Sequence, residues 1–374
     1  MTGPRPDGRT IVVTGGGTSG HVLPALAIMD RLALAGHDRT ALHYVGTQRG
    51  IEQRLVPPTG YAHTLLDVVG LQRSLSRRNL AFVPKLVSAT RRARRLLRDL
   101  DAAAVVNVGG YGSMPATFAA RRLGVPVVVV SYDLLPGLAS RVAARFATAV
   151  AAAFPGSALR RAVTTGAPIR PEIIAVDRGS DGRRAARELL GLPQDRFVVS
   201  VVGGSLGAKA VNDAVADLVG RAAGRTDLAV HHVVGERFVD QVPTAREDAD
   251  GIMYRVIGYE DRMPAVYAAS DVVVARAGAS TVAELAATGT PSILVPWPGA
   301  AENHQLANAR TLADAGAAVM VEQHELSGER LLAEIDRLAS DPAGAAAMAA
   351  AARTEGARHR SDALIDLVRE VAAR

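Results

Sequence analysis

Short apolar runs separated by amphipathic stretches set the rhythm of this chain. Nearly unbroken hydrophobic segments recur at 10–14, 41–46, 103–107, 126–130 and 147–152, each too short for a helix and rich in Val and Ala. Between them, 22–35, 80–98, 114–123 and 137–145 read as helices. Strands apolar on both faces and alternating with helices belong to a parallel sheet that is covered on both sides. A second series follows, with strands at 197–202, 229–234, 254–257, 271–275 and 292–295 and helices at about 208–222, 262–269, 280–288 and 302–315. The pattern predicts an α/β protein of two doubly wound, Rossmann-like domains facing across a cleft. The expected boundaries are 1–165, a linker over 166–195, a second domain over 196–358, and a last helix within 359–374 that crosses back onto the first.

Composition narrows the choices. Of 374 residues 48% are hydrophobic and 21% charged, ample for packed cores. The absence of cysteine excludes disulfides, thiolate zinc sites and a cysteine nucleophile, and is compatible with a reducing cytosol. No apolar run approaches the roughly 18–20 residues of a membrane span, and the polar start does not resemble a signal peptide. The net charge of +6 decides little, but its placement matters. Residues 71–98 contain Arg73, Arg77, Arg78, Lys85, Arg91, Arg92, Arg94, Arg95 and Arg98 and no acid, interleaved with Leu75, Leu80, Phe82 and Leu86. That mixture suits an anionic lipid surface, and equally a solvated helix face. With 4% aromatics and no recognised module, nucleic acid is not an expected partner.

Glycine-rich turns stand at strand ends: TGGGTSGH from Thr14, Gly109-Gly110 before Tyr111, GGSLGA from Gly203, and Gly278. In open parallel sheets ligands gather at that edge. Gly15, Gly17 and Gly20 match the dinucleotide fingerprint G-x-G-x-x-G, but the second strand ends in Gly46-Thr47-Gln48-Arg49, without the acid that would hold a ribose. Arg49 leaves a site for a 2′-phosphate as an alternative. What the loop offers is amides at a helix N-terminus, an anion site, with His21 beside it as a titratable group. The second half adds Gly204 and Ser205 in a second phosphate-type loop. Glu284, after Ser280 and Thr281, is an acid able to accept both hydroxyls of a ribose. His304, Gln305 and Asn308 follow a Pro-Trp-Pro-Gly turn and suit sugar hydroxyls. Capping roles account for each of these singly; together they favour a nucleotide sugar.

These motifs, with GTQRGIE at 46–52, GGYGSMPA from Gly109, GAPIR at 166–170 and RAGASTVAE through HQLANA, make the chain resemble the MurG-type glycosyltransferases over nearly its whole length. The resemblance implies the GT-B fold and inverting transfer of N-acetylglucosamine from UDP-N-acetylglucosamine to a lipid-diphosphate-linked muramyl-pentapeptide, or to a related natural-product acceptor. UDP-sugar is then a substrate and no cofactor or metal is needed; the D-x-D tripeptides at 99–101 and 248–250 lie in polar connections. It places Thr18, Ser19, Gly20, His21, Gly110 and Tyr111 on the acceptor side. Arg170, Gly204 and Ser205 fall at the donor diphosphate, Tyr259 and Glu260 at the uracil, Ser280, Thr281 and Glu284 at the ribose, and His304 and Gln305 at the donor sugar. It also implies a peripheral position on the cytoplasmic face of the membrane, through the patch containing Leu75, Arg77, Arg78, Leu80, Phe82, Lys85 and Leu86. Two departures stand out. Ser19 replaces a glycine, and Val130-Ser131-Tyr132-Asp133 stands where the family has His-Glu-x-Asn. His21 is the expected base, with Asp133 expected to hydrogen-bond it and raise its basicity, or to act as the base itself. A UDP-sugar 2-epimerase of the same fold and a non-catalytic nucleotide-sugar-binding scaffold are the alternatives.

Overall fold

The computed structural model describes residues 9–70, 82–204, 207–246, 250–300 and 303–374. The chain forms two compact units, Met1–Pro171 with Ser361–Arg374, and Glu172–Arg360. The first runs β1 (Thr10–Thr14), α1 (Ser19–Leu34), β2 (Leu42–Thr47), α2 (Glu52–Leu55), β3 (Ala62–Leu66), α3 (Phe82–Asp99), β4 (Ala102–Asn107), α4 (Met114–Leu123), β5 (Val127–Ser131), α5 (Leu138–Ala144), β6 (Ala149–Ala152) and β7 (Ala162–Thr164). Then α6 (Pro171–Ile174), α7 (Ser180–Leu190), β8 (Phe197–Val202), α8 (Lys209–Arg221), β9 (Leu228–Val233), β10 (Met253–Ile257), α9 (Met263–Ala269), β11 (Val272–Ala275), α10 (Ala279–Thr288), β12 (Ser292–Leu294), α11 (His304–Ala313), β13 (Val319–Met320), α12 (Gly328–Ser340) and α13 (Pro342–Arg360) follow, before α14 (Ala363–Ala372).

Each unit is built on one parallel sheet, ordered β3-β2-β1-β4-β5-β6-β7 in the first and β10-β9-β8-β11-β12-β13 in the second. The order reverses between β1 and β4, and again between β8 and β11, so successive crossovers leave in opposite directions there and the carboxyl ends stay uncovered. In register, Thr14 faces Asn107 and Val202 faces Ala275, which brings the glycine turns after these strands to the two switch points. Central strands are buried over most of their length, and β5, with four valines, over all of it. In the first unit Val12, Val105 and Val129 pack under Ala93 and Leu97 of α3 and Ala116 and Ala120 of α4. In the second, Val199, Val230 and Val272 meet Val211 and Val215 of α8 and Leu331 and Ile335 of α12.

The stretch expected as a linker is not one beyond Pro171. Ala186, Leu190 and Leu192 pack on Val198, Ala229 and Val266, so 172–195 belongs to the second unit. The charged RGSDGRR run hid an amphipathic helix that buries Ala186 and Leu190, together with Arg187. Strands β3, β7 and β13 lie outside the expected pattern because edge strands are short and half exposed. The long helix α13 runs to Arg360, and the helix on the first unit is α14, whose Leu364, Ile365, Val368 and Val371 are buried against β4, β5 and β6.

Three buried histidines make the fold sensitive to acid. His43 (Nε2 to Thr64 Oγ1, 2.9 Å), His232 and His359 have pKa values pushed down by burial to about 4, 3 and 3. Asn212 Nδ2 donates to the Val234 carbonyl at 3.0 Å, so Asn212 Oδ1 accepts from His232 Nε2 at 3.1 Å, and the Tyr254 hydroxyl donates to Nδ1 at 2.9 Å. The unfolded chain takes protons at these groups near the ordinary value of 6.5, before the folded one does. Their stabilising contribution is therefore complete above that pH and declines as pH falls towards 4, by about 1.4 kcal/mol per pH unit for each histidine. Denaturant midpoints measured from about pH 7.5 to 5 should fall steadily, and His232→Gln should flatten the slope; a level midpoint in the wild type contradicts this.

Candidate active site

In the first unit the loops after β1 and β4 press backbone on backbone. Val108 N–H donates to the Thr14 carbonyl at 2.8 Å, and Asn107 Oδ1 accepts from Gly109 N–H at 2.7 Å. At Gly110 (φ +77°) a Cβ would stand 2.2 Å from the Gly16 carbonyl oxygen, so only glycine fits. His21, in the first turn of α1, lays its ring over this floor, with Cδ2 and Nε2 3.1 and 3.3 Å from where a Gly109 Cβ would be. Its Nδ1 is 2.9 Å from Thr18 Oγ1. Tyr132 meets the imidazole edge-on at 6.0 Å between ring centroids, and its hydroxyl donates to the Gly20 carbonyl at 2.5 Å. Burial lowers the His21 pKa, and the charge of Asp133 partly opposes it, so the imidazole is neutral at neutral pH.

Two expectations change here. The partner of Nδ1 is the Thr18 hydroxyl, not the Asp133 carboxylate, which reaches His21 through its charge. The Gly17 amide, expected to face an anion, donates instead to Glu52 Oε1 at 2.9 Å. Thr18 and Gly20 are exposed at the end of α1, while the half-buried Tyr111 covers Gly17. Ser19 begins α1, and its side chain lies outside the described residues. Arg170, half-buried, lies in the first unit one residue before Pro171, where the chain passes into the second.

In the second unit Gly204 (φ +88°) stands in the expected loop after β8, and Ser205 lies outside the described residues. Ser280 and Thr281 occupy the first turn of α10, half-buried, with Glu284 one turn on, its Oε2 accepting from the Tyr267 hydroxyl at 2.7 Å. That phenol, which sequence reasoning missed, orients the carboxylate. Tyr259 is 37% exposed, but Glu260 is buried: its Oε1 accepts from Arg262 N–H and Nε, both at 2.9 Å, and its Oε2 lies 3.5 Å from His231 Nε2. Burial alone would raise the Glu260 carboxyl; the nearby His231 imidazole and the hydrogen bonds from Arg262 outweigh it and hold it at about 2. This carboxylate, bonded to Arg262 N–H, secures the start of α9. His304 opens α11, half-buried, and Gln305 Oε1 accepts from Trp297 N–H at 3.0 Å, tying the turn to α11. Asn308 is fully buried and donates to the Ala277 carbonyl at 3.3 Å, a structural tie between α11 and the β11 turn.

Helix α3 buries Ala89, Thr90, Ala93 and Leu97 and turns Arg91, Arg92, Arg94, Arg95 and Arg98 to solvent. Val83 and Val87 at its start are 61% and 44% exposed; Phe82 and Leu86 are half-buried. Lys85 is not an outward cation, because its Nζ bonds Asp67 Oδ2 at 2.8 Å. Leu75, Arg77, Arg78 and Leu80 lie outside the described residues.

Two family models match the chain. The glycosyltransferase family 28 N-terminal domain covers residues 11–152, and the C-terminal domain of the same family covers 198–364. The chain belongs to glycosyltransferase family 28. It is 40% identical over 365 residues to the UDP-N-acetylglucosamine--N-acetylmuramyl-(pentapeptide) pyrophosphoryl-undecaprenol N-acetylglucosamine transferase of Clavibacter sepedonicus, covering 97% of this chain and 96% of the relative. To the enzyme of the same name from Desulforudis audaxviator it is 36% identical, covering 97% and 99%. Among solved structures it resembles Acinetobacter baumannii MurG, with a TM-score of 0.72, 28% identity and coverage of 98% and 100%. A UDP-GlcNAc 2-epimerase from Neisseria meningitidis shares the fold at a TM-score of 0.64 but only 12% identity, covering 96% and 99%. This family 28 chain thus has the expected GT-B architecture of two Rossmann-like sheets.

The electrostatics of His21 are measurable without substrate. In an NMR pH titration its imidazole should titrate below the ordinary 6.5, and Asp133→Asn should move it lower still, because a charge that favours imidazolium is gone. An unchanged or higher value in the variant contradicts the arrangement.

Proposed function

We propose that this glycosyltransferase moves N-acetylglucosamine from UDP-N-acetylglucosamine onto a lipid-diphosphate-linked muramyl-pentapeptide acceptor, with inversion at the anomeric carbon. Support comes from the names of relatives that match it end to end, and above all from one local observation: a neutral, oriented imidazole at the switch point of the first sheet. With Nδ1–H donating to Thr18 Oγ1, His21 Nε2 presents a lone pair to the acceptor hydroxyl. The oxygen attacks the anomeric carbon as the bond to UDP breaks, and the proton passes to Nε2. Arg170 and the amides of the Gly204–Ser205 loop receive the growing diphosphate charge. Glu284, steadied by Tyr267, holds the ribose hydroxyls, Tyr259 lies by the uracil, and His304 with the Gln305 amide contacts the sugar. No cofactor enters, and UDP-sugar is a substrate.

We also infer a peripheral site on an anionic membrane, at its cytoplasmic face. No helix among the described residues is long and apolar enough to cross a membrane. The five outward arginines of α3, next to exposed Val83 and Val87, form a basic and apolar face of the kind that binds lipid headgroups. Each basic residue contributes about 1 kcal/mol near an anionic surface.

Mass spectrometry of products from UDP-N-acetylglucosamine, with and without lipid-linked acceptor, separates the readings. Glycosylated lipid with UDP release supports transfer, while a 2-epimerised nucleotide sugar formed without acceptor overturns it. His21→Ala should lower kcat by about 100- to 10,000-fold, with donor binding retained. Replacing Arg91, Arg92, Arg94 and Arg95 with Glu should abolish co-sedimentation with phosphatidylglycerol vesicles at low salt; retained binding refutes the lipid face.

A further inference from the structure

Glu52 has no part in the reaction just described, yet the chain around the first loop is shaped about it. Its side chain is fully buried at the start of α2. Oε1 accepts from Gly17 N–H at 2.9 Å and from Thr47 N–H at 3.1 Å. Oε2 is buried and has no hydrogen-bond partner among the described residues. A Cβ at Gly16 would lie 2.2 Å from Oε1, and one at Gly50 1.8 Å from Oε2, so the backbone stays bare at both places to admit the carboxylate. A buried carboxylate with an unfilled oxygen costs free energy that an apolar side chain of similar size would not. What it does that an apolar side chain cannot is accept from two N–H groups at once.

We propose that Glu52 is a positioning residue for the base. By accepting from Gly17 N–H it holds the left-handed turn (φ +98°) from which Thr18 reaches His21. Thr18 is extended (φ −143°, ψ 158°), its carbonyl accepts from His21 N–H at 3.0 Å, and its hydroxyl meets His21 Nδ1 at 2.9 Å. Rotation of the peptide at Gly17 therefore swings both contacts and redirects Nε2. Glu52 acts through acceptance, not through its charge: the influences on the His21 proton are burial and Asp133. The kinetic consequence rests on the transferase reading above, whereas the structural one does not.

Two conservative variants of the full chain separate the possibilities. Glu52→Gln removes the charge but keeps an oxygen in place to accept, whereas Glu52→Asp keeps the charge and withdraws it by one methylene. Glu52→Gln should retain kcat within about threefold, with the wild-type pH profile and wild-type His21 imidazole 15N shifts. Glu52→Asp should lower kcat by about 10- to 100-fold, leave the KM for UDP-N-acetylglucosamine within about twofold, and move the His21 15N shifts. An active Glu52→Asp beside an inactive Glu52→Gln overturns the proposal, and so do His21 signals unmoved in Glu52→Asp. If the wild type transfers no sugar from UDP-N-acetylglucosamine, the functional reading fails, while the His21 spectra still decide the role of Glu52.

Discussion

Backbone packed directly on backbone, where the β1 and β4 loops meet, is the constraint on which the first unit's site depends. Parallel strands whose crossovers diverge leave their carboxyl ends uncovered, and something must fill that gap without filling it with side chains. The Gly16 carbonyl against Gly110 does so, and the imidazole of His21 uses the bare surface as its floor. In the second unit the turn after β8 likewise closes tightly, with Gly203 against Ala208 and Gly207 against the Val234 carbonyl that follows β9. The placement of the candidate site is in this sense a by-product of sheet topology: the same reversal in strand order that opens the edge fixes which loops can be neighbours.

Most of that framework was legible in the amino-acid sequence because buried parallel strands write themselves as valine and alanine runs. The central strands β1, β4, β5, β8 and β11 fall within a residue of their expected positions. Elements that contact solvent on one side were harder to see. Strand β3, Ala-His-Thr-Leu-Leu, carries too little apolar pattern, and α7 looks like a charged tether until Ala186 and Leu190 are found against β8. For the site, glycines and the lone imidazole announced themselves through local spacing. Partners did not, because they come from distant positions: Tyr132 reaches Gly20 across 112 residues, and Tyr267 reaches Glu284 from a neighbouring helix. Glu52 left one trace, the glycines at 46 and 50 that flank it, and that trace makes sense only once the carboxylate is known to turn inward.

The departure at Tyr132-Asp133 now has a physical form. Tyr132 supplies an aromatic wall and a hydroxyl to the α1 terminus, and Asp133 supplies a charge that offsets part of the desolvation of His21. An imidazole pressed onto a dry floor would otherwise lose basicity to burial, and a nearby carboxylate is the least intrusive way to restore some of it. In this chain the surroundings of His21 are thus set by Tyr132 and Asp133.

Helix α14 closes the first sheet, but it is made after the whole of the second unit. Its apolar stripe covers β4, β5 and β6, and Arg31 of α1 donates to the Ser361 carbonyl at 2.6 Å and to Asp362 Oδ1 at 2.7 Å. Synthesis proceeds from the N-terminus, so the ribosome delivers a nearly finished first unit and then withholds its last wall for 189 residues. Until that wall arrives, a strip of valine-rich sheet stands open beside the helix that carries His21. The second unit, continuous in sequence, can mature first, and the half of the protein that is born earlier is the half that is completed last.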